Sequence, residues 1–169
     1  VEPTRRENNR AAYAERWWIH AEARSGMRRA IQGLPRFIAT IRHSKHRLFV
    51  WIMAGTLPDS ALVVFARADD YTFGVLHSLP HEVWSLRKGT QVRERESGFR
   101  YTPTSTFETF PFPHATDEQR EGIATAAKAL DTFRNGWLNP DGMLPNELKA
   151  RTLTNLYNQR PSWLTQAHD

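Results

Sequence analysis

The sequence contains no cysteine. Disulfide frameworks and thiolate metal sites are therefore excluded, and the composition agrees with a reducing, cytoplasmic compartment. Long apolar runs are missing as well. The segment LFVWIMA (Leu48–Ala54) falls far short of the ~20 residues that a membrane-spanning helix needs, and no signal-peptide pattern opens the sequence. Glycine is sparse, and none of the nine sits in a GxGxxG, a GxxxxGK[ST] or a Gly-x-Ser-x-Gly arrangement. Neither a nucleotide-cradling loop nor a nucleophile elbow is expected, so no catalytic residue is assigned. The chain starts at Val1 and halts at Asp169 just after a fresh helix start, and it reads as a piece of a longer polypeptide.

What is present is positive charge, unevenly spread. The formal net charge is +5, and residues 1–100 hold 17 Lys+Arg against 10 Asp+Glu, while residues 101–169 hold 6 against 8. Most of the basic residues are arginine, whose planar fork matches phosphates and guanine edges better than a lysine point charge does. At 169 residues the chain can hide roughly 70% of its unfolded surface. An α+β fold is expected, a mixed sheet of short strands and hairpins with flanking helices.

The pattern along the chain supports that class. Residues 9–34 read as mostly helical, with Met27, Ile31 and Leu34 at helical spacing and Gly33 near the end. Phe37, Ala39 and Ile41 then alternate with polar residues as in a strand. The polar turn HSKH leads to Leu48–Ala54, and ALVVFA (Ala61–Ala66) reads as a buried strand. Asp69-Asp70 can cap a helix through Leu76, and Pro80 can open a second helix that Gly89 closes. Thr90–Thr104 reads as a hairpin turning at Glu96-Ser97-Gly98. Thr116 and Gln119 form a capping box for a helix presenting Ile123, Ala127, Leu130 and Phe133, which stops at Asn135-Gly136. Asn146–Tyr157 is a last helix.

Two stretches of candidate chemistry yield little. His77 and His81 are four apart, but Pro80 lies between them and no third metal ligand follows at a recognisable spacing; surface or capping histidines are expected. Asp141, Glu147 and Lys149 imitate a nuclease signature, yet Glu and Lys fall in a helix rather than on adjacent strands. Trp17, Trp18, Trp51 and Trp84 are expected in a core or interface rather than as base-stacking groups.

The basic loops are more informative. Arg42, Lys45 and Arg47, with His43 and His46, cluster at one strand-to-strand turn that can meet phosphates or bases. Arg93 and Arg95 share a strand face in the second hairpin, and Arg100 lies across it. Then comes FRYTPTSTFETFPFP (Phe99–Pro113), where Pro103, Pro111 and Pro113 are expected to forbid a helix and a fully paired ladder. Its Phe107, Phe110 and Phe112 need apolar surface to cover.

Four segments together resemble the C-terminal target-recognition region of large bacterial adenine-specific DNA methyltransferases of type IIL restriction–modification and BREX-like phage-defence systems. They are RWWIHAEARSGMRRAIQGLPRFIATIRHSKHRLFVW, LVVFARADDYTFGVLHSLPHEVWSLRKGT, FRYTPTSTFETFPFP and RTLTNLYNQRPSWLTQAHD. The resemblance implies a module that grips duplex DNA, comprising a recognition domain over 1–113 and a helical segment over 114–169 that returns towards an upstream methyltransferase domain. In that family the catalytic domain binds S-adenosylmethionine and extrudes the target adenine, and neither its cofactor loop nor its Asn/Asp-Pro-Pro-Tyr/Phe motif occurs here. No cofactor is expected in this chain. By the same resemblance the ribbon holds its hydroxyls, Tyr101, Thr102 and Thr104, near the DNA together with Arg42, Lys45, His46, Arg47, Arg93, Arg95 and Arg100. A nuclease fragment and a protein-interaction domain of the same system are the alternatives.

Overall fold

The computed structural model describes residues 4, 6–7, 9–18, 24–91 and 98–168, and the chain divides into two units, Val1–Gln32 and Gly33–Asp169. The first unit contains the short helices α1 (Ala11–Glu15) and α2 (Ser25–Ile31), neither with a buried residue. The expected helix over 9–34 is thus broken by a turn at residues 16–18, and residues 19–23 lie outside the described residues. Trp17 and Trp18 meet edge to face at 5.8 Å, and Trp18 is exposed, so it belongs to no core.

The second unit opens with four strands, β1 (Arg36–Ile41), β2 (His43–Ser44), β3 (Phe49–Met53) and β4 (Leu62–Phe65). β1 lies between β3 and β4, pairing antiparallel with both, Ile38 opposite Trp51 on one side and Phe65 on the other. A central strand covered on both faces buries consecutive residues. Phe37, Ile38, Ala39 and Thr40 are all buried while Ile41, expected on the inner face, is exposed. Every described strand pair is antiparallel, where a mixed sheet was expected.

Two helices follow as expected. Asp69 accepts a hydrogen bond from the Thr72 amide at the start of α3 (Asp70–His77), and Ser78 caps α4 (Leu79–Lys88), which carries Pro80 in its first turn and ends at Gly89. β5 (Thr90–Gln91) and β6 (Phe99–Arg100) then form the expected hairpin, with Thr90 opposite Arg100. Its turn at Glu96-Ser97 lies outside the described residues. β2 joins the other side of β6, making a second three-stranded sheet in the order β2-β6-β5. The HSKH segment is therefore half strand rather than a free turn. Gly98, at φ +74°, is required there: a Cβ would come within 2.1 Å of the Ser44 carbonyl oxygen.

The proline-bearing ribbon does contain a helix, α5 (Pro103–Thr106). The expectation of uniformly extended chain fails because a proline in the first helical turn removes only an amide that has no intrahelical partner. Thr106 Oγ1 donates back to the Thr102 carbonyl at 2.7 Å, and the Phe107 amide donates to Pro103. This turn aims Phe107 and, after Pro111, Phe112 at a core of Ile38, Phe49, Val63, Phe65, Phe73, Leu76, Tyr101 and Ala127. Phe107 meets Phe65 at 4.8 Å, and Phe110 meets His81 at 4.8 Å. A ring fully buried in such a core contributes about 1.5–3 kcal/mol, and these half-buried rings contribute less. The phenylalanines of the ribbon hold down their own unit.

α6 (Asp117–Leu138) begins at the expected capping box, with both arms made between Thr116 and Gln119, and runs three residues beyond Asn135. It lies against α3 at Gly74, whose absent side chain lets Ile123 and Ala127 approach. Its next buried residues are Leu130 and Arg134; Phe133, expected on that face, is exposed. The last predicted helix is interrupted. It consists of α7 (Pro145–Leu148) and α8 (Leu153–Gln159), the latter restarted by the Thr152 cap, and is followed by α9 (Ser162–His168). Leu156, Tyr157 and Leu164 pack on Leu130 in a second core. α6 thus serves both cores, and residues on either side of Pro113 share one unit.

Candidate nucleic-acid interface

The β2-β6-β5 sheet places His43 directly opposite Arg100, and Arg100 directly opposite Thr90. Directly paired residues of antiparallel strands point to the same face. All three are exposed, while Ser44 and Phe99, the next residues along, are half-buried. The result is a row of one imidazole, one guanidinium and one hydroxyl drawn from three separate stretches of chain. Arg87 and Lys88 stand exposed at the end of α4, directly before β5. Among the described residues the ion pairs are those of Arg36 and Lys128 with Asp70, so none of His43, Arg87, Lys88 or Arg100 is neutralised by a carboxylate.

The other expected contacts divide sharply. Arg42 is half-buried, and its backbone bridges the two sheets, donating to Ala61 at 2.7 Å and accepting from the Tyr101 amide at 2.8 Å. Lys45 is exposed and donates to Asn158 Oδ1 at 2.8 Å, and His46 Nε2 lies 2.9 Å from the same oxygen. An amide oxygen only accepts, so His46 carries its proton on Nε2. Thr104 is exposed; Thr102 is half-buried before α5. Arg93 and Arg95 lie outside the described residues.

Arg47 and Tyr101 are interior residues. The Arg47 guanidinium donates to the carbonyls of Ile41 at 2.6 Å and Phe99 at 2.7 Å, and lies 5.0 Å from the Tyr101 ring centre. It ties the loop after β1 to β6. Burial lowers its pKa to about 10, with Tyr101 opposing part of that shift. Tyr101 is 1% exposed, and its hydroxyl lies 3.0 Å from His81 Nε2. Burial pushes its own pKa up. Tyr101 is enclosed and Arg47 nearly so, its donors held by backbone carbonyls, so neither is presented as a surface contact for DNA.

His77 and His81 are also interior, not surface or capping groups. His81 is fully buried, with Nδ1 2.8 Å from the Leu76 carbonyl. That carbonyl only accepts, so Nδ1 holds the proton and Nε2 accepts from Tyr101. Burial first, then Arg47, lowers its pKa to about 4 despite the Leu76 bond, so it is neutral at physiological pH. His77 is held well below the usual range by burial and then by Arg134. With the ring nitrogens so engaged, the pair cannot close on one ion without breaking the core. Among the described residues no group of three or more His, Asp or Glu side chains is placed to hold a metal ion.

Sequence reasoning missed Arg134 altogether. It is 2% exposed and pairs with no carboxylate among the described residues; Nη2 donates to the Phe49 carbonyl at 2.9 Å and Nη1 lies 3.0 Å from His77 Nε2. The spacing Ala127, Leu130, Arg134 continues the apolar row of α6, but a charged residue in that row reads as its end. Asn158 gave no signal, because its partners lie 112 and 113 positions away. No protein-family model, curated protein or solved structure matches the chain. Among the described residues no helix is long and apolar enough to cross a membrane.

Proposed function

We propose that this chain is the duplex-DNA target-recognition module of a cytoplasmic, S-adenosylmethionine-dependent adenine methyltransferase from a restriction–modification or phage-defence system. The observation that supports the reading best is the exposed row of His43, Arg100 and Thr90 on one face of the small sheet, without carboxylate partners among the described residues. A cationic, hydrogen-bonding surface on short strands suits a sugar–phosphate backbone, and side chains in fixed directions suit base edges. Arg93 and Arg95 belong to the same hairpin by sequence, and they are the residues we assign to base reading. Lys45 and Arg100 grip phosphates. Catalysis and cofactor binding belong to the upstream methyltransferase domain, which extrudes the adenine because its amine is unreachable within the stack.

The experiment is fluorescence anisotropy of the 169-residue chain on a labelled duplex at several salt concentrations. Binding that weakens linearly in log–log form as salt rises is expected, and replacing Arg100 with alanine should flatten the slope by about one unit. Absence of binding at low salt would overturn the reading. In the parent enzyme, Arg93 or Arg95 variants should relax the methylated motif at one position, read by genome-wide mapping of methylated adenines. Variants that only lower total methylation would place base reading elsewhere.

A further inference from the structure

A cleft opens between the loop after β2 and the corner joining α8 to α9. His46 and Leu48 line one side, Tyr157, Arg160 and His168 the other, and Glu82 of α4 also borders it. The electrostatics are lopsided. The guanidinium of Arg47 lines the cleft, and that of Arg134, whose Nε is buried without a hydrogen-bond partner, lies 3.0 Å from Nε2 of the lining residue His77. Arg160, which also lines it, is exposed, and the exposed Lys45 next to His46 is fixed to Asn158. Glu82 is the carboxylate among the lining residues, set against Arg47 and Arg160, with Lys45 joined to the lining residue His46 through Asn158.

Arg160 supplies a second, independent observation. It terminates α8 in the left-handed region, at φ 40° and ψ 64°, its amide donating to Leu156 at 2.8 Å. A residue with a Cβ is strained there, and glycine is the usual choice at a helix end of this form. A chain that keeps arginine at such a position holds a charged side chain over the cleft where a strain-free residue would have none. Strained backbone of this kind concentrates where ligands are clamped.

Resting on the functional reading above, we propose that the mouth of this cleft is a phosphate-binding site that takes one backbone phosphate of the bound duplex. Arg160 and Lys45 donate to its oxygens. Asn158 is a positioning residue: by accepting from both Lys45 and His46 through Oδ1, it holds the ammonium beside His46 before the ligand arrives. The DNA contact surface therefore extends from the small sheet to the C-terminal helices, linking residues 43–46 to 158–160.

The test uses Arg160→Gly in the full chain, since glycine removes the charge and suits the backbone, so the fold is retained. Thermal melting and duplex binding across salt are measured beside wild type and Arg160→Lys. Retained folding, weaker binding, a salt slope shallower by about one unit, and recovery of the slope in Arg160→Lys are expected. Wild-type binding to DNA with an Arg160→Gly slope equal to wild type would overturn the cleft while leaving the functional reading intact. If wild type binds no duplex, that reading fails, and titration with inorganic phosphate decides the cleft. Saturable shifts of the His46 ring signals that vanish in Arg160→Gly would assign it to a free phosphate, and no shift would overturn it.

Discussion

The guanidinium of Arg134 donates to the carbonyl of Phe49 at 2.9 Å, joining the last turns of α6 to the start of β3 across 85 positions. His77 Nε2 lies 3.0 Å from both partners. The Phe49 carbonyl only accepts and the guanidinium only donates, so Nε2 satisfies one of them at a time; the positive charge of Arg134 favours the tautomer in which Nε2 accepts and the ring proton sits on Nδ1. Replacing Arg134 with methionine should let the ring change tautomer and donate Nε2–H to Phe49 instead. The stability cost is expected to be about 1–2 kcal/mol, since one hydrogen bond is regained. Nitrogen shifts of the His77 ring should report the tautomer change, and unaltered shifts would refute the assignment.

His81 makes stability fall with acid. Its folded pKa is about 4 against 6.5 for an ordinary histidine. Between those values the unfolded chain binds more protons, so stability is fully present above pH 6.5 and is lost as pH falls towards 4. That difference corresponds to about 3 kcal/mol, and His77 acts in the same direction. Chemical denaturation at successive pH values should show this loss in wild type. It should be distinctly smaller in His81→Gln; an identical pH profile would contradict the prediction.

Gly74 sets the approach of α3 to α6. An added methyl group would come within 2.6 Å of Ile123 Cγ2 and 3.0 Å of the Ile123 carbonyl oxygen. Ile123 can turn its side chain but its backbone cannot yield without moving α6. Gly74→Ala should therefore destabilise by about 1–3 kcal/mol, despite alanine's better helix propensity. A melting temperature at or above wild type would mean the two helices are less tightly packed than found.

Phe110 meets His81 at 4.8 Å, Phe112 at 5.4 Å and Trp84 at 6.2 Å, but is only half-buried. Phe110→Ala should cost about 2 kcal/mol, below the 3–5 kcal/mol of a fully enclosed ring. An unchanged melting temperature would show that the ring does not hold the ribbon in place.

Local signals were read well where one short stretch contains its own cause. The Thr116–Gln119 box, the Asp69 cap, Pro80 in the first turn of α4 and Gly89 at its end all appear as the sequence implies. Signals that depend on distant partners misled. Ile41 looked like an inner strand residue because the alternation could not reveal that it stands at the end of β1, beyond the last residue paired with β3. Pro103 looked like a helix breaker because its position within the turn was unknown. Of the residues expected to meet DNA, Lys45, Arg100 and Thr104 face solvent, whereas Arg47 and Tyr101 are buried.

The sequence by itself determined the α+β class, the order of most elements, their caps, and the concentration of positive charge in residues 1–100. These follow from periodicity, capping chemistry and composition, which act over a few residues. Only the tertiary structure decided which charges are free. Arg47 and Arg134 carry the same side chain as Arg100 and Arg160. The first two are buried and donate to carbonyls brought from elsewhere in the chain, and the other two are exposed. Whether a guanidinium spends its donors inside the protein or keeps them for a ligand depends on acceptors supplied by long-range pairing, and no local pattern encodes that.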